Sequence, residues 1–539
     1  MTFLPIVQRE LLVAARRRST YRMRIGVALV AMLLAIGSYF AVNVGWQSPA
    51  GVGKNLFHCV AVFALAGSLF AGLGTTADSI SREKREGTLG FLFLTDLRSY
   101  DVVLGKCFAT SLSSFFAIVT IAPVLGISLL LGGVTPGEIW RAMLVALISF
   151  LFSISAGMFV SAITRDTRNA IGGTFALILL FTLVAPACGY LVKANAASPG
   201  PGLFLSHLSP VSCFLLAADN QFSAQPELFW TACSAVIITS LIFLTLAIYL
   251  LPRVWQDNPK NNGRSPMNRR PGAIRSDSPR KKRWREKLLN QNPALWLAAR
   301  DDHKRVSLWV GVVIGALFAV GVYLYCRQSM ERFPVMLVCA FTLHAAVKFL
   351  IAIDASHGLA DERRSGALEL LLATPLSPLE ILQGHLFSLR RKFFLVIVGV
   401  LVLDACWLFD GLITLDLSSD ELMLPVSFLG AMLMLMVDAY TLSWVGLCLG
   451  LVAKTSRRAF LTTMFQILLL PWVGIMALLM CLALLTEGGI SGIEPGWLFV
   501  TWFGMSVMFN LLFFGWATNN FFNHFRSHAV MTYDSIKRF

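Results

Sequence analysis

The chain is poor in charged residues and lacks the sequence signs of several common functions. Charged residues make up only 14% of its 539 residues, whereas soluble domains average about 25%. Its ten cysteines form no C-x-x-C pair and no metal-ligand spacing. No G-x-x-x-x-G-K-[ST] phosphate loop occurs, and Gly51-Val52-Gly53-Lys54 is only a fragment of one. We therefore expect no catalytic, cofactor-binding or metal-binding residues, and the chain is not predicted to be an enzyme.

Long apolar runs dominate the sequence instead. Hydrophobic residues make up 56% of the chain, and a run of roughly 20 apolar residues crosses a bilayer as a helix. These runs predict an all-α, polytopic membrane protein with about twelve transmembrane helices. The candidate spans lie near 25–45, 55–76, 107–133, 139–163, 170–192, 229–251, 307–326, 334–353, 393–413, 423–452, 460–485 and 497–521.

The net charge of +15 is concentrated in alternate loops. Arginines precede the first span and basic residues fill 81–106 and 454–458, whereas 414–422 contains no basic residue. Because cytoplasmic loops carry an excess of Lys and Arg, the basic loops and both termini are predicted to be cytoplasmic. Arg327 and Arg332 are exceptions, since this topology places them outside.

One charged segment occurs twice. The first loop, residues 81–106, reads SREKREGTLGFLFLTDLRSYDVVLGK, and the second loop, residues 360–385, reads ADERRSGALELLLATPLSPLEILQGH. Each loop lies between two predicted spans. Without a gap, identical residues align at Glu83/Glu362, Arg85/Arg364, Gly87/Gly366, Leu89/Leu368, Leu92/Leu371, Thr95/Thr374, Leu97/Leu376 and Gly105/Gly384.

A second match extends the repeat to two whole halves. The segment 155–170 resembles 443–459, with Gly157 aligned on Gly446. We predict a first half at 1–251, a basic linker at 252–292 and a second half at 293–539. Each half has six spans, an even number, so the two repeats are predicted to be parallel in the membrane. Both loops would then face the cytoplasm.

The linker is rich in arginine, lysine and proline. This composition predicts a flexible cytoplasmic segment. It could contact anionic lipid headgroups, but a solvated tether is the favoured interpretation.

Each loop is predicted to form two short helices joined at a corner. The first helices would cover 83–94 and 362–373, with their leucines against the membrane domain. In the second loop Ser377, Pro378 and Glu380 match a capping box at the start of the next helix, and Ser99 is the expected cap in the first loop. Such a helix pair can transmit a push from a soluble partner into the membrane.

The first loop and the six-span layout resemble the type-2 ABC export permeases. The matching residues are Glu83, Arg85, Glu86, Gly87, Thr88, Leu89, Leu97, Gly105 and Lys106. In that family the loop contains the coupling helix that docks on an ATP-binding subunit. The resemblance implies a bacterial inner-membrane exporter subunit with both halves fused. A separate ATPase, in two copies, would bind ATP and dock on 79–106 and 358–385.

The resemblance implies ATPase-coupling roles for residues of both loops. These are Glu83, Arg85, Glu86, Gly87, Thr95, Gly105, Lys106, Glu362, Arg364, Gly366, Thr374 and Gly384. The second loop departs from the family pattern, because Ser365 replaces the acidic Glu86 and His385 replaces Lys106. Equal coupling of the two halves is therefore in doubt. The substrate is not identified by the sequence.

Three ionisable residues lie inside predicted spans of the second half: His344, Asp404 and Asp438. Ionisable groups in spans often mark transport pathways, although polar residues also hold helices together. They could line a translocation path or simply pack, whereas Lys348 is expected to extend towards the membrane surface. Two other functions remain open: an ion-coupled secondary transporter using Asp404 and Asp438, and a non-transporting membrane scaffold.

Overall fold

A computed structural model describes most of the chain. It covers residues 18–43, 49–94, 98–186, 206–254, 279–299, 315, 332–414, 423–453, 455–485 and 495–530. These residues form helices and short connections, without a β-strand among them. The predicted all-α fold of a polytopic membrane protein is confirmed. The chain divides into two compact units, the first built mainly on residues up to Gln256 and the second on most of the rest.

The first unit contains helices α1 to α11. They are α1 (Arg18–Asn43), α2 (Pro49–Thr75), α3 (Ser79–Glu86), α4 (Thr88–Phe93), α5 (Ser99–Val119), α6 (Ala122–Leu131), α7 (Pro136–Ile163), α8 (Thr167–Leu179), α9 (Pro210–Leu216), α10 (Asp219–Ala224) and α11 (Pro226–Val254). A π-helical turn, Leu180–Val184, follows α8. Thr135 caps α7 by accepting a hydrogen bond from the Glu138 N–H at 3.2 Å, directly before Pro136.

Helices α12 to α20 follow along the chain. They are α12 (Pro279–Gln291), α13 (Pro293–Ala299), α14 (Arg332–Ser365), α15 (Ala367–Leu372), α16 (Pro378–Thr414), α17 (Met423–Val452), α18 (Ser456–Met464), α19 (Leu470–Leu485) and α20 (Pro495–Val530). A π-helical turn, Phe465–Leu469, joins α18 to α19.

Ten helices in the described ranges are long and apolar enough to cross a membrane. They match ten of the twelve predicted spans. The predicted span 170–192 continues beyond the described residues after position 186, and 307–326 lies outside them except for Gly315. The long predicted span 107–133 is interrupted between α5 and α6, where Pro123 stands at the second position of α6.

Small residues let α2 and α7 pack closely in the first unit. The Ser153 side chain accepts a hydrogen bond from the Gly72 N–H at 2.9 Å. One turn further along α7, Gly157 lies against Thr76, and a β-carbon there would overlap the threonine hydroxyl. Close backbone approach through small residues is a common way to join helices in lipid.

The second unit repeats this packing between α14 and α17. A β-carbon at Gly446 would lie 2.6 Å from the β-carbon of Ala355. Gly446 is the residue aligned with Gly157, and Ala355 follows Thr76 by 279 positions, the same offset that relates the two loops. The repeat seen in the sequence therefore appears again as the same helix crossing in each unit.

Gly446→Ala should destabilise the protein by about 1–3 kcal/mol, because the added methyl group has no room against α14. Gly399→Ala is the matched control. It also adds one methyl group inside a helix of the second unit, but nothing lies within 4 Å of the position. Thermal unfolding in detergent should show a lower midpoint for Gly446→Ala and no loss for Gly399→Ala. Equal midpoints for the two variants would show that α17 can move away freely.

The phosphate-loop fragment has a packing role. Gly53 lies in the first turns of α2, where a β-carbon would overlap the carbonyl oxygen of Gly132. Gly132 and Gly133 both have positive φ, 85° and 82°. This glycine contact explains the fragment without any phosphate.

The last third of the predicted linker is helical. Residues 279–291 form α12, and α11 continues to Val254. Leu288 of α12 is buried against Leu295 and Ala299 of α13. The basic composition suggested a flexible chain, but these few apolar residues are enough to fold the segment.

Candidate functional site

Both loops begin with the same backbone turn. Gly87 and Gly366 have φ angles of 72° and 74°, in the left-handed region that glycine adopts without strain. They separate α3 from α4 in the first loop and α14 from α15 in the second. The predicted continuous helices at 83–94 and 362–373 are therefore wrong, since each is interrupted at its glycine.

The corner after α15 has the predicted capping box. Ser377 Oγ accepts a hydrogen bond from the Glu380 N–H at 3.2 Å, and Glu380 Oε2 accepts one from the Ser377 N–H at 2.7 Å. In the first loop the helix begins at Ser99 itself, so the expected Ser99 cap is wrong. Arg98 precedes the helix, and its N–H donates to Asp101 at 3.1 Å.

A buried leucine holds each loop against its unit. Leu89 of α4 is 2% exposed and Leu368 of α15 is 0% exposed. These two residues are aligned in the repeat, and both were expected to face the membrane domain. The side chain of Leu92 lies outside the described set, and Leu371 is half-buried.

A basic side chain fastens each loop to the end of a neighbouring span. Lys84 donates to the carbonyl oxygen of Ala162, at the end of α7. Arg363 donates to the carbonyl oxygens of Leu451 and Ala453, at the end of α17. Lys84 aligns with Arg363 and Ala162 aligns with Leu451, so the same contact occurs in both halves. Neither Lys84 nor Arg363 was among the residues predicted from the sequence to have a role.

An ion pair closes each loop on itself. Glu83 and Lys106 lie 2.6 Å apart, and both are about four-fifths buried. The aligned pair is Glu362 and His385, at 3.1 Å. Lysine keeps its charge over the physiological range, whereas the imidazole is charged only when protonated. The replacement of Lys106 by His385 therefore preserves the contact but changes its electrostatics.

The other residues selected by the resemblance occupy varied environments. Arg85 pairs with Asp78 at 2.9 Å and also donates to the carbonyl oxygen of Arg165 at 2.8 Å. Glu86 pairs with Arg82 at the surface, at 2.8 Å. Gly105 is buried, Gly384 lies against Ala294, and Arg364 and Thr374 are exposed. Thr95 lies outside the described residues.

Two apolar residues point away from the protein at aligned positions. Phe91 is 72% exposed and Leu370 is 73% exposed, each in the middle of its short loop helix. They could not be singled out from the sequence because nearly every residue of LGFLFL and ELLL is apolar, so no one face is distinguished. The two residues are linked by their position in the repeat, because residue 370 follows residue 91 by the 279 positions that relate the two loops. Single exposed apolar residues are common, so the reason for selecting Phe91 and Leu370 is that their positions match in the two loops.

Exchanging the charges of the Glu83–Lys106 pair tests whether this pair stabilises the first loop or instead contacts a docked partner. Glu83→Lys should weaken the loop by about 1.5–3 kcal/mol, because a largely buried charged bond is lost and two like charges meet. Glu83→Lys with Lys106→Glu should recover most of that loss. Hydrogen exchange of the 88–94 amides measures it. If the double variant stays as mobile as the single one, the ion pair does not hold the loop.

A second polar group lies within the candidate spans of the second unit. His344 Nε2 of α14 lies 2.7 Å from Asp404 Oδ2 of α16. One turn further along α14, Lys348 Nζ lies 2.6 Å from Asp438 Oδ2 of α17. Asn510 of α20 donates to Asp438 Oδ1 at 2.8 Å. All five side chains are buried.

These contacts correct the expectation for Lys348 but do not test the expected translocation path. Lys348 does not extend to the surface, because it is buried and paired with Asp438. A translocation role for His344, Asp404 and Asp438 stays a prediction. In the first unit the residues 279 positions before His344 and Lys348 are Leu65 and Leu69. At these two positions both halves are helical, but the second half has ionisable side chains where the first half has leucine.

The fold and the loops define a class of protein: a polytopic helical membrane protein with a duplicated loop structure at the ends of its spans. Residues 29–254 match the family described as ABC-2 family transporter protein. The first half is therefore similar to the membrane domains of ABC-2 transporters, and the resemblance seen in the sequence is confirmed there. No curated protein matches the chain.

Proposed function

We propose that this chain is the fused transmembrane subunit of an ATP-binding cassette exporter. Its two loops serve as docking sites for two copies of a separate ATPase. The observation that carries the proposal is the repeated loop structure: a left-handed glycine, a buried leucine and an exposed apolar residue in the same order. A loop that only covered the helix ends would have no reason to expose Phe91 and Leu370 at matched positions.

The contacts between each loop and a neighbouring span support a role in transmitting movement from a docked ATPase. Lys84 and Arg363 tie the loops to the ends of α7 and α17, which themselves pack on α2 and α14. Movement of a docked ATPase would therefore be passed to packed helices and not absorbed by a flexible connection. Alternating access by rigid movement of helices fits this arrangement. The basic composition of the loops supports a cytoplasmic docking surface, and the family resemblance supports a bacterial inner membrane.

Purification of the chain from its native membranes tests the proposal. A P-loop ATPase should co-purify in about a 2:1 ratio to the chain, since each loop offers one docking site. Recovery of the chain without any ATPase, under conditions that preserve its fold, would overturn it. Transport that follows an ion gradient without ATP would support the ion-coupled alternative, for which the buried Lys348–Asp438 and His344–Asp404 pairs are the specific observation.

A further inference from the structure

The helix α12 is strongly basic. Its sequence, PRKKRWREKLLNQ, contains six lysines and arginines and one glutamate. Arg283 and Lys287 are exposed and stand four residues apart, which places them on one face of the helix. Leu288, on a different face, is buried. The helix therefore has one side against protein and an exposed side with a concentrated positive charge.

The C-terminal end of α12 is fixed to a membrane-spanning helix. Asn292, between α12 and α13, donates from its side chain to the carbonyl oxygen of Glu380 at 2.8 Å. It also accepts a hydrogen bond from the Ala294 N–H at 2.8 Å. At Gly384 a β-carbon would lie 2.8 Å from Ala294, so α13 rests directly on the backbone of α16.

These contacts place the C-terminal end of α12 beside the start of a membrane-spanning helix. The candidate span is contained in Pro378–Asp410, so Glu380 lies in the first turn of that helix. The uninterrupted apolar stretch of α16 begins at Phe393, which is 13 residues or about 20 Å beyond Glu380 at 1.5 Å per residue. The helix α12 also has 13 residues and is about 20 Å long, so it is long enough to reach from Asn292 to the headgroups.

We propose that the exposed basic face of α12 binds the headgroups of anionic phospholipids. Charge complementarity and the position of the helix beside the end of α16 carry this proposal. A solvated tether needs neither a folded helix nor an anchor such as Asn292. The proposal does not depend on the identity of the transported substrate or on the ATPase.

Hydrogen exchange of the full chain in lipid nanodiscs tests the proposal directly. The 279–291 amides should exchange at least about fivefold more slowly in phosphatidylcholine with 30% phosphatidylglycerol than in phosphatidylcholine alone, since one basic residue near an anionic surface contributes about that factor. Raising the salt to about 1 M, where screening acts within roughly 3 Å, should remove most of the difference. Equal exchange in the two bilayers would overturn the proposal.

A matched pair of variants separates the helix from the general charge of the linker. Arg283→Gln with Lys287→Gln should reduce the effect of phosphatidylglycerol several-fold, because it removes two of the six basic residues of α12. Arg269→Gln with Arg270→Gln removes the same charge from the same linker and should leave the effect intact. Equal loss in both variants would assign the effect to diffuse charge and contradict a site on α12.

Two further arms distinguish a lipid surface from other anions. Soluble glycerol phosphate and a short single-stranded RNA are each added to phosphatidylcholine nanodiscs. Neither should protect the 279–291 amides, and protection by either one equal to that of phosphatidylglycerol would overturn the lipid assignment. Exchange in α7 reports on the fold and should be the same in every arm, so a variant that has unfolded is recognised.

Discussion

Phe91→Asp combined with Leu370→Asp should abolish stable association with the ATPase subunits. Each side chain stands exposed in the middle of a loop helix, which is where a docking partner would enclose it. Loss of a central apolar anchor costs about 2 kcal/mol or more, so the binding of each ATPase copy to its loop should weaken by at least about thirtyfold. Co-purification and substrate-stimulated ATP hydrolysis both measure the effect.

The repeat supplies the control for this experiment. Phe91→Leu with Leu370→Phe exchanges the two natural residues and keeps both positions apolar, so association should change little. The aspartate variant should still insert and unfold at the normal temperature, because neither side chain is part of a core. Normal ATPase binding by the aspartate variant would remove the main reason for placing the docking surface on these loops.

Lys348→Met should cause one of the largest losses of stability of any single replacement in the second unit. It leaves Asp438 buried, with the side-chain amide of Asn510 still donating to it but without the ammonium group of Lys348. Removing one member of a buried ion pair typically costs about 3–5 kcal/mol. Lys348→Met with Asp438→Asn should recover most of the loss, since the uncompensated charge is gone. Thermal unfolding in detergent is the measurement.

An exposed pair provides the comparison. Arg82 and Glu86 are each at least half exposed, so Arg82→Gln should change stability by less than about 1 kcal/mol. If Lys348→Met were equally harmless, the Lys348–Asp438 pair would have no structural role and a role in transport would gain support.

Asp438→Asn then distinguishes the two transport mechanisms. An ATP-driven exporter should keep its coupling of ATP hydrolysis to transport when this carboxylate is neutralised. Transport that collapses with the proton gradient in the wild type, and loses that dependence in Asp438→Asn, would establish the ion-coupled alternative instead.

Local signals in the sequence predicted local structure well. The capping box at Ser377 and Glu380 uses residues three positions apart, and the structure has both of its hydrogen bonds. The burial of Leu89 and Leu368 followed from their place in an apolar stripe. Ten of the predicted spans could be found because apolar length alone identifies them.

Features that depend on a residue distant in the sequence could not be predicted from local sequence patterns. The depth of Lys348 along its span suggested that it reaches the surface, but Asp438 on α17 holds it inside. Glycine at positions 87 and 366 was visible in the sequence, yet only backbone geometry shows that it interrupts the helix. The exposure of Phe91 and Leu370 also depends on how each short helix rests on its unit, which no local pattern reports.

The polar pairs of α14 have a consequence for how a duplicated gene can diverge. A transporter assembled from two identical chains would contain every intramembrane ion pair twice, related by symmetry. Here the pairs at His344 and Lys348 occur once, because leucine stands at the matching positions of the other half. Because both halves belong to one chain, ionisable residues can be present in one half without having to be accommodated at the matching positions of the other.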